Sequence, residues 1–106
     1  MEPAARFETT VRRRAEYKLP GGKLVVVAFE LADGEIQNVQ VAGDFFLYPD
    51  DALDRIRCAV EGTAAGLSIA ERTAVVVNAL QPGDELVGVT CEAVAVAIQR
   101  ALMEAP

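Results

Sequence analysis

The hydrophobic pattern of this chain changes period once, near residue 48, and that switch constrains the fold more than any other feature. Residues 11–41 read as three extended segments separated by tight-turn signals, and from Pro49 onward the apolar residues recur at helical spacing. In "VRRRAEYKL" (11–19), Ala15, Tyr17 and Leu19 point one way and Arg14, Glu16 and Lys18 the other, which marks a one-faced strand. "PGGK" follows, with Pro20 pre-set for the first corner of a turn and Gly21 able to supply the positive φ of the next. "KLVVVAFEL" (23–31) is β-rich enough for a central strand, and "ADGE" carries the Asp-Gly signal of a second tight hairpin. The third segment, "EIQNVQV" (35–41), loses its alternation between Ile36 and Val39, and a bulge near Gln37-Asn38 explains the slip.

After the switch, Leu53, Ile56 and Val60 fall on one helical face with Ala52 and Ala59 beside them, while Asp51, Asp54, Arg55 and Glu61 lie opposite and Cys58 sits among the charges. Pro49 suits the first helical position, Asp50 and Asp51 suit the positive end of the dipole, and Gly62 suits the stop. "GTAAGL" then reads as a flexible link. "SIAE" offers a capping box of Ser68 with Glu71, which, with the Gln81-Pro82-Gly83 stop, favours helix over strand despite three consecutive valines. "GDELVGV" (83–89) reads as an extended connection, and Thr90 caps a last helix whose buried stripe is Val94, Ile98, Ala101 and Leu102.

The order therefore predicts an α+β domain: a three-stranded antiparallel meander sheet followed by three helices packed on one face. At 106 residues the chain has room for one core and one domain, spanning 1–106, with 1–10 expected to be flexible. A three-stranded sheet covered on one side leaves its other face as a place for a partner. No apolar run approaches the ~18 residues of a membrane span, and the polar, basic residues 1–14 do not read as a signal segment. The expectation is a cytoplasmic protein that engages no membrane.

The net charge of −6 argues against a general nucleic-acid binder, but the charge is uneven. Residues 1–23 hold six basic side chains against three acidic ones, and the remainder four against thirteen, so one end is +3 and the rest −9. Arg12, Arg13 and Arg14 read either as a solvated strand or as a docking surface for an acidic partner. The chain has no histidine, which excludes His-ligated zinc and a His base, and its two cysteines are too few for a Cys-only metal site. Cys91 falls at a helix start, where a thiolate would be stabilised, but no base or resolving partner lies near it in sequence. "PGGK" lacks the pattern of a phosphate loop and precedes a strand rather than a helix. Asp50-Asp51 and Asp84-Glu85 are sequence neighbours that do not face each other, and helix capping and solvation account for both. No acid/base pair is visible.

"GDFFLYPDD" (43–51) places four large apolar side chains on a connection, where a polar chain is the rule. Alternation sends Phe45 and Leu47 to one side and Phe46 and Tyr48 to the other, so one pair can close the core while the other faces something outside the chain.

Three stretches, "EYKLPGGKLVVV", "GEIQNVQVAGDFFLYPDDALDRI" and "GDELVGVT" followed by a helix, resemble the C-terminal accessory domain of lipoate–protein ligases across roughly residues 14–102. The family's catalytic domain activates lipoate with ATP as lipoyl-AMP and transfers the lipoyl group to a lysine of an acceptor domain. The accessory domain packs on it and supplies no catalytic residue. The resemblance therefore implies a stand-alone, non-catalytic subunit that binds a separate catalytic subunit and, through it, meets lipoyl-acceptor domains. ATP, lipoate and Mg belong to that partner, with no cofactor bound by this chain. The family commonly has proline where this sequence has Cys91, which reads as a neutral replacement. The residues expected at the interface are Arg12, Arg14 and Lys18, then Gly21, Gly22 and Lys23, then Asp44, Phe45, Phe46 and Tyr48. The fold that the resemblance implies is also similar to that of iron–sulfur scaffold proteins. A small iron–sulfur or sulfur scaffold or carrier using Cys58 or Cys91 is accordingly the alternative, and an independent enzyme is a third.

Overall fold

The extended segments form one antiparallel sheet in the order β1-β2-β3, with β1 at Val11–Lys18, β2 at Leu24–Ala32 and β3 at Glu35–Gly43. This computed structural model describes residues 11–103, so the stretch 1–10, expected to be flexible, lies outside the described residues. Both turns follow their chemistry. Gly22 N–H donates to the Leu19 carbonyl at 2.8 Å, with Gly21 at φ 65°, and Asp33 and Gly34 both take positive φ, 54° and 78°. The bulge is present: Ala28 pairs with Gln40 and Glu30 with Gln37, so Phe29 faces Asn38 and Val39 together, and Asn38 adopts φ 54°.

Three helices follow: α1 at Asp51–Val60, α2 at Ile69–Ala79 and α3 at Cys91–Met103. α1 and α3 cover one face of the sheet, and α2 rests on both of them. The core is built where these layers meet, from Val25, Val27 and Phe29 of β2, Ile36 and Val41 of β3, and Ile56, Val76 and Ile98 of the helices. The first helix starts later than the sequence suggests. Asp50 is its N-cap, and Pro49 stands before the cap after a cis Tyr48–Pro49 bond, its carbonyl accepting from Ala52 N–H at 2.9 Å. The reason is that Tyr48 still belongs to a strand, so the chain has to turn before it can coil. The capping box of α2 is complete: Ser68 Oγ accepts from Glu71 N–H at 3.0 Å, and Ser68 N–H donates to the Glu71 carboxylate at 2.8 Å. Thr90 Oγ1 likewise accepts from Ala93 N–H at 3.0 Å at the start of α3.

The link 62–67 is not loose. Ile36 N–H donates to the Thr63 carbonyl at 2.9 Å and Ala65 N–H to the Gly34 carbonyl at 2.8 Å, which lays the link along the free edge of β3. Arg72 clamps it from the other side. Its guanidinium is buried and donates to the carbonyls of Ala65 and Leu67 at 3.1 and 2.8 Å, and burial holds its pKa below the ordinary arginine value. Glu61, just past α1, turns its carboxylate onto the bulge and accepts from the N–H groups of Asn38 and Val39 at 2.7 and 3.2 Å. Amides that the bulge removes from the ladder are thereby satisfied.

Candidate functional site

Two short strands that the period switch does not announce complete the molecule: β4 at Phe46–Tyr48 and β5 at Glu85–Val87, paired antiparallel as a two-stranded ribbon. Phe46 stands opposite Val87, Leu47 opposite Leu86 and Tyr48 opposite Glu85. Alternation divides the ribbon as the sequence predicts. Leu47 and Leu86 pack against the core together with Phe45, which lies just ahead of β4, whereas Phe46, Tyr48 and Val87 are 61%, 51% and 48% exposed. The Phe46 and Tyr48 rings stack with centroids 6.5 Å apart.

The ribbon is seated on the sheet by close backbone contact. A Cβ at Gly43 would come within 2.0 Å of the Leu24 carbonyl oxygen and 2.7 Å of the Phe45 ring, so only glycine lets the chain leave β3 here. At Gly88, which has φ 87°, a Cβ would strike the Lys23 Cγ at 2.7 Å. Asp44 N–H donates to the Leu24 carbonyl at 3.3 Å. Segments 19–24, 43–48 and 84–90, remote in sequence, thus meet at one end of the molecule. Beside them a groove of about 300 Å³ opens between the Leu19-Pro20 turn and the start of α3, lined also by Tyr17, Thr90 and Glu92.

Gly21, Gly22, Lys23, Asp44, Phe46 and Tyr48 all belong to this end, and Phe45 supports it from within. Arg12, Arg14 and Lys18 do not join them. They lie on the open face of the three-stranded sheet, while Arg13, paired with the buried Phe29, turns toward the helices. The two arginines have carboxylates beside them, Arg12 with Glu30 at 3.6 Å and Arg14 with Glu16 at 2.9 Å.

Asp84 was missed by reasoning from sequence neighbours. Its side chain is 5% exposed and takes a two-pronged contact from Arg55 at 2.8 and 3.1 Å, while accepting from Gln81 N–H at 2.7 Å. The Arg55 guanidinium, and after it the Gln81 amide, hold the Asp84 carboxyl below the usual carboxylate range. Arg55 also donates to the Ala79 carbonyl at 2.9 Å, so it ties α1 to the connection that carries β5. This is a structural ion pair, not solvation.

The thiols sit apart in character. Cys58 is exposed on α1, in a cleft whose charged members are already engaged, Glu61 with the bulge amides and Arg57 with Asp54 at 3.0 Å. Cys91 opens α3 but packs against the core, and burial pushes its thiol pKa up despite the helix start. Burial thus outweighs the stabilisation that a helix start would give a thiolate, and the ordinary thiol is favoured. Among the described residues no three His, Cys, Asp or Glu side chains cluster as metal ligands, and no helix is long and apolar enough to cross a membrane. What the end built from 19–24, 43–48 and 84–90 presents is an exposed apolar surface with a charged border.

No protein-family model matches the sequence, and no curated protein matches it. Among solved structures the chain is similar to one from an archaeal lipoylation system, a bi-partite lipoate protein ligase and its E2 lipoyl domain from Thermoplasma acidophilum. The superposition has a TM-score of 0.68 at 22% identity and covers 84% of this chain and 96% of that one, so the two share a fold over nearly the whole of the archaeal chain.

Proposed function

We propose that this chain is the non-catalytic accessory subunit of a lipoate–protein ligase. It binds a separate catalytic subunit in the cytoplasm and supports ATP-dependent adenylation of lipoate and transfer of the lipoyl group to lysines of acceptor domains. ATP, lipoate and Mg are held by that partner. The observation that carries the reading is the fold shared with a chain of a bi-partite ligase system, matched over 96% of its length. It is supported by the way parts of the three stretches behind the family resemblance meet at one end that carries an exposed aromatic pair. Gly21, Gly22, Lys23, Asp44, Phe46 and Tyr48 form the interface, Phe45 braces it, and Arg12, Arg14 and Lys18 contribute at most a diffuse field.

Reconstitution tests this. The chain alone, given ATP, lipoate and magnesium, is expected to form no lipoyl-AMP, and a ligase catalytic domain from the same cell lacking its own accessory domain is expected to be impaired until this chain is added. Lipoyl-AMP formed by the chain alone, or a catalytic domain that gains nothing from it, refutes the proposal.

A further inference from the structure

The β4–β5 ribbon has one face packed on the core and one bare. A two-stranded ribbon is marginal by itself, and among the described residues this one packs on the core through Leu47 and Leu86 of its inner side. On the bare side, Phe46, Tyr48 and Val87 form a continuous apolar surface, because residues directly opposite in an antiparallel pair project to the same face. The rings stack on each other, so each has less rotamer freedom to lose when a partner arrives.

The border of this surface is acidic. Glu85 shares the face with Tyr48, Asp44 precedes the strand and Asp50 follows it, all three exposed. Asp84 does not join them, because Arg55 engages its buried carboxylate. Lys23 is a basic residue of this end, and its stem lies against Gly88. Two occupants are conceivable for an unpartnered apolar face, a second copy of this chain or a different protein. A two-fold pairing of copies would set each acidic border against its own image, where like charges oppose one another. Charge complementarity favours a different protein with a basic border.

We propose that the outer face of the β4–β5 ribbon anchors this chain to the catalytic subunit, which meets Phe46 and Tyr48 with an apolar pocket edged by lysine or arginine side chains. This rests on the accessory-subunit reading above. The open face of the β1-β2-β3 sheet takes no principal part in the contact.

The test uses the purified full chain and the catalytic subunit, with affinity measured by calorimetry and association by a surface method. Phe46→Ala and Tyr48→Ala are each expected to raise Kd about tenfold or more while melting like the wild type. Val87→Asp, at an exposed position on the same face, provides a second variant should either ring truncation disturb folding, and it is expected to weaken binding similarly. Asp44→Lys with Glu85→Lys is expected to slow association about tenfold at low salt and to flatten its dependence on salt. Folded variants that bind with unchanged Kd overturn the ribbon assignment but leave the accessory role standing. Failure of the wild-type chain to bind the catalytic subunit overturns both. A dimer of the chain alone that Phe46→Ala dissociates assigns the face to a second copy and overturns the proposal.

Discussion

Two surfaces of this molecule expose apolar strand residues, and they are finished to different degrees. On the open face of the β1-β2-β3 sheet, Leu24, Val26 and Ala28 are partly buried, flanked on β1 by the long side chains of Arg14, Glu16 and Lys18. Those stems cover apolar surface while their heads stay in water. The charges are largely answered within the face, Arg14 by Glu16 and Arg12 by Glu30. On the ribbon, Phe46, Tyr48 and Val87 stand about half exposed or more, and the carboxylates beside them have no such cover to give. An apolar residue under a neighbour's aliphatic stem is ordinary protein surface. Two stacked rings, each more than half exposed, are a surface left open.

The difference is sharpest between the two sides of the ribbon itself, and there the largest effect is expected. Phe45→Ala removes a half-buried ring that lies against Gly43 at the end of β3 and whose Cβ approaches Gly88. It is expected to cost about 2–3 kcal/mol of stability in urea melts, somewhat under the ~3–5 kcal/mol of a fully buried ring. If Phe45→Ala melted like the wild type, the ribbon would be a loosely held flap and the contrast between its faces would disappear.

A smaller, pH-dependent effect comes from the ion pair that holds β5 in place. Asp84 is held below its unfolded value, chiefly by Arg55 and then by the Gln81 amide. Its contribution is present above the unfolded carboxylate range and is lost as pH falls through the lower folded value. Wild type and Asp84→Asn are therefore expected to differ in melting temperature at neutral pH and to converge in acid. Parallel curves at all pH values would mean that the ribbon's seat does not depend on this charge.

Local signals made most of the sheet legible. Pro-Gly and Asp-Gly fixed both turns because the turn chemistry lies within four residues, and the slip between Ile36 and Val39 revealed the bulge because strand alternation has a strict period. The opposite faces of "FFLY" were readable for the same reason. What could not be read was non-local. Glu61 reaches the bulge from 23 residues away, and Asp84 finds Arg55 at a separation of 29. The link 62–67 looked flexible because its Gly, Ala and Thr side chains carry no pattern. Its order comes from backbone hydrogen bonds to the β3 edge and from Arg72, neither of which its composition encodes. Strands of three residues, like β4 and β5, are below the length at which periodicity can announce them.

The smallest effect is expected where sequence charge alone pointed most strongly. The basic cluster at residues 12–14 read either as a solvated strand or as a docking surface, and folding splits it. Arg13 faces the helix-packed side, and Arg12 and Arg14 spend their charge on carboxylates of their own face. Arg12 is 76% exposed, so its pair with Glu30 is screened by solvent and its loss should barely register. Charge reversal of Arg12 and Arg14 together is expected to alter stability by no more than about 0.5 kcal/mol. At physiological salt it should change association with the catalytic subunit less than about twofold, because exposed, already paired charges on another face are screened over a Debye length of ~8 Å. The same double variant should slow association only at low ionic strength, where long-range steering survives. A Kd raised more by Arg12→Glu with Arg14→Glu than by Phe46→Ala would reverse the comparison. The sheet face would then be the anchor and the aromatic ribbon an incidental edge.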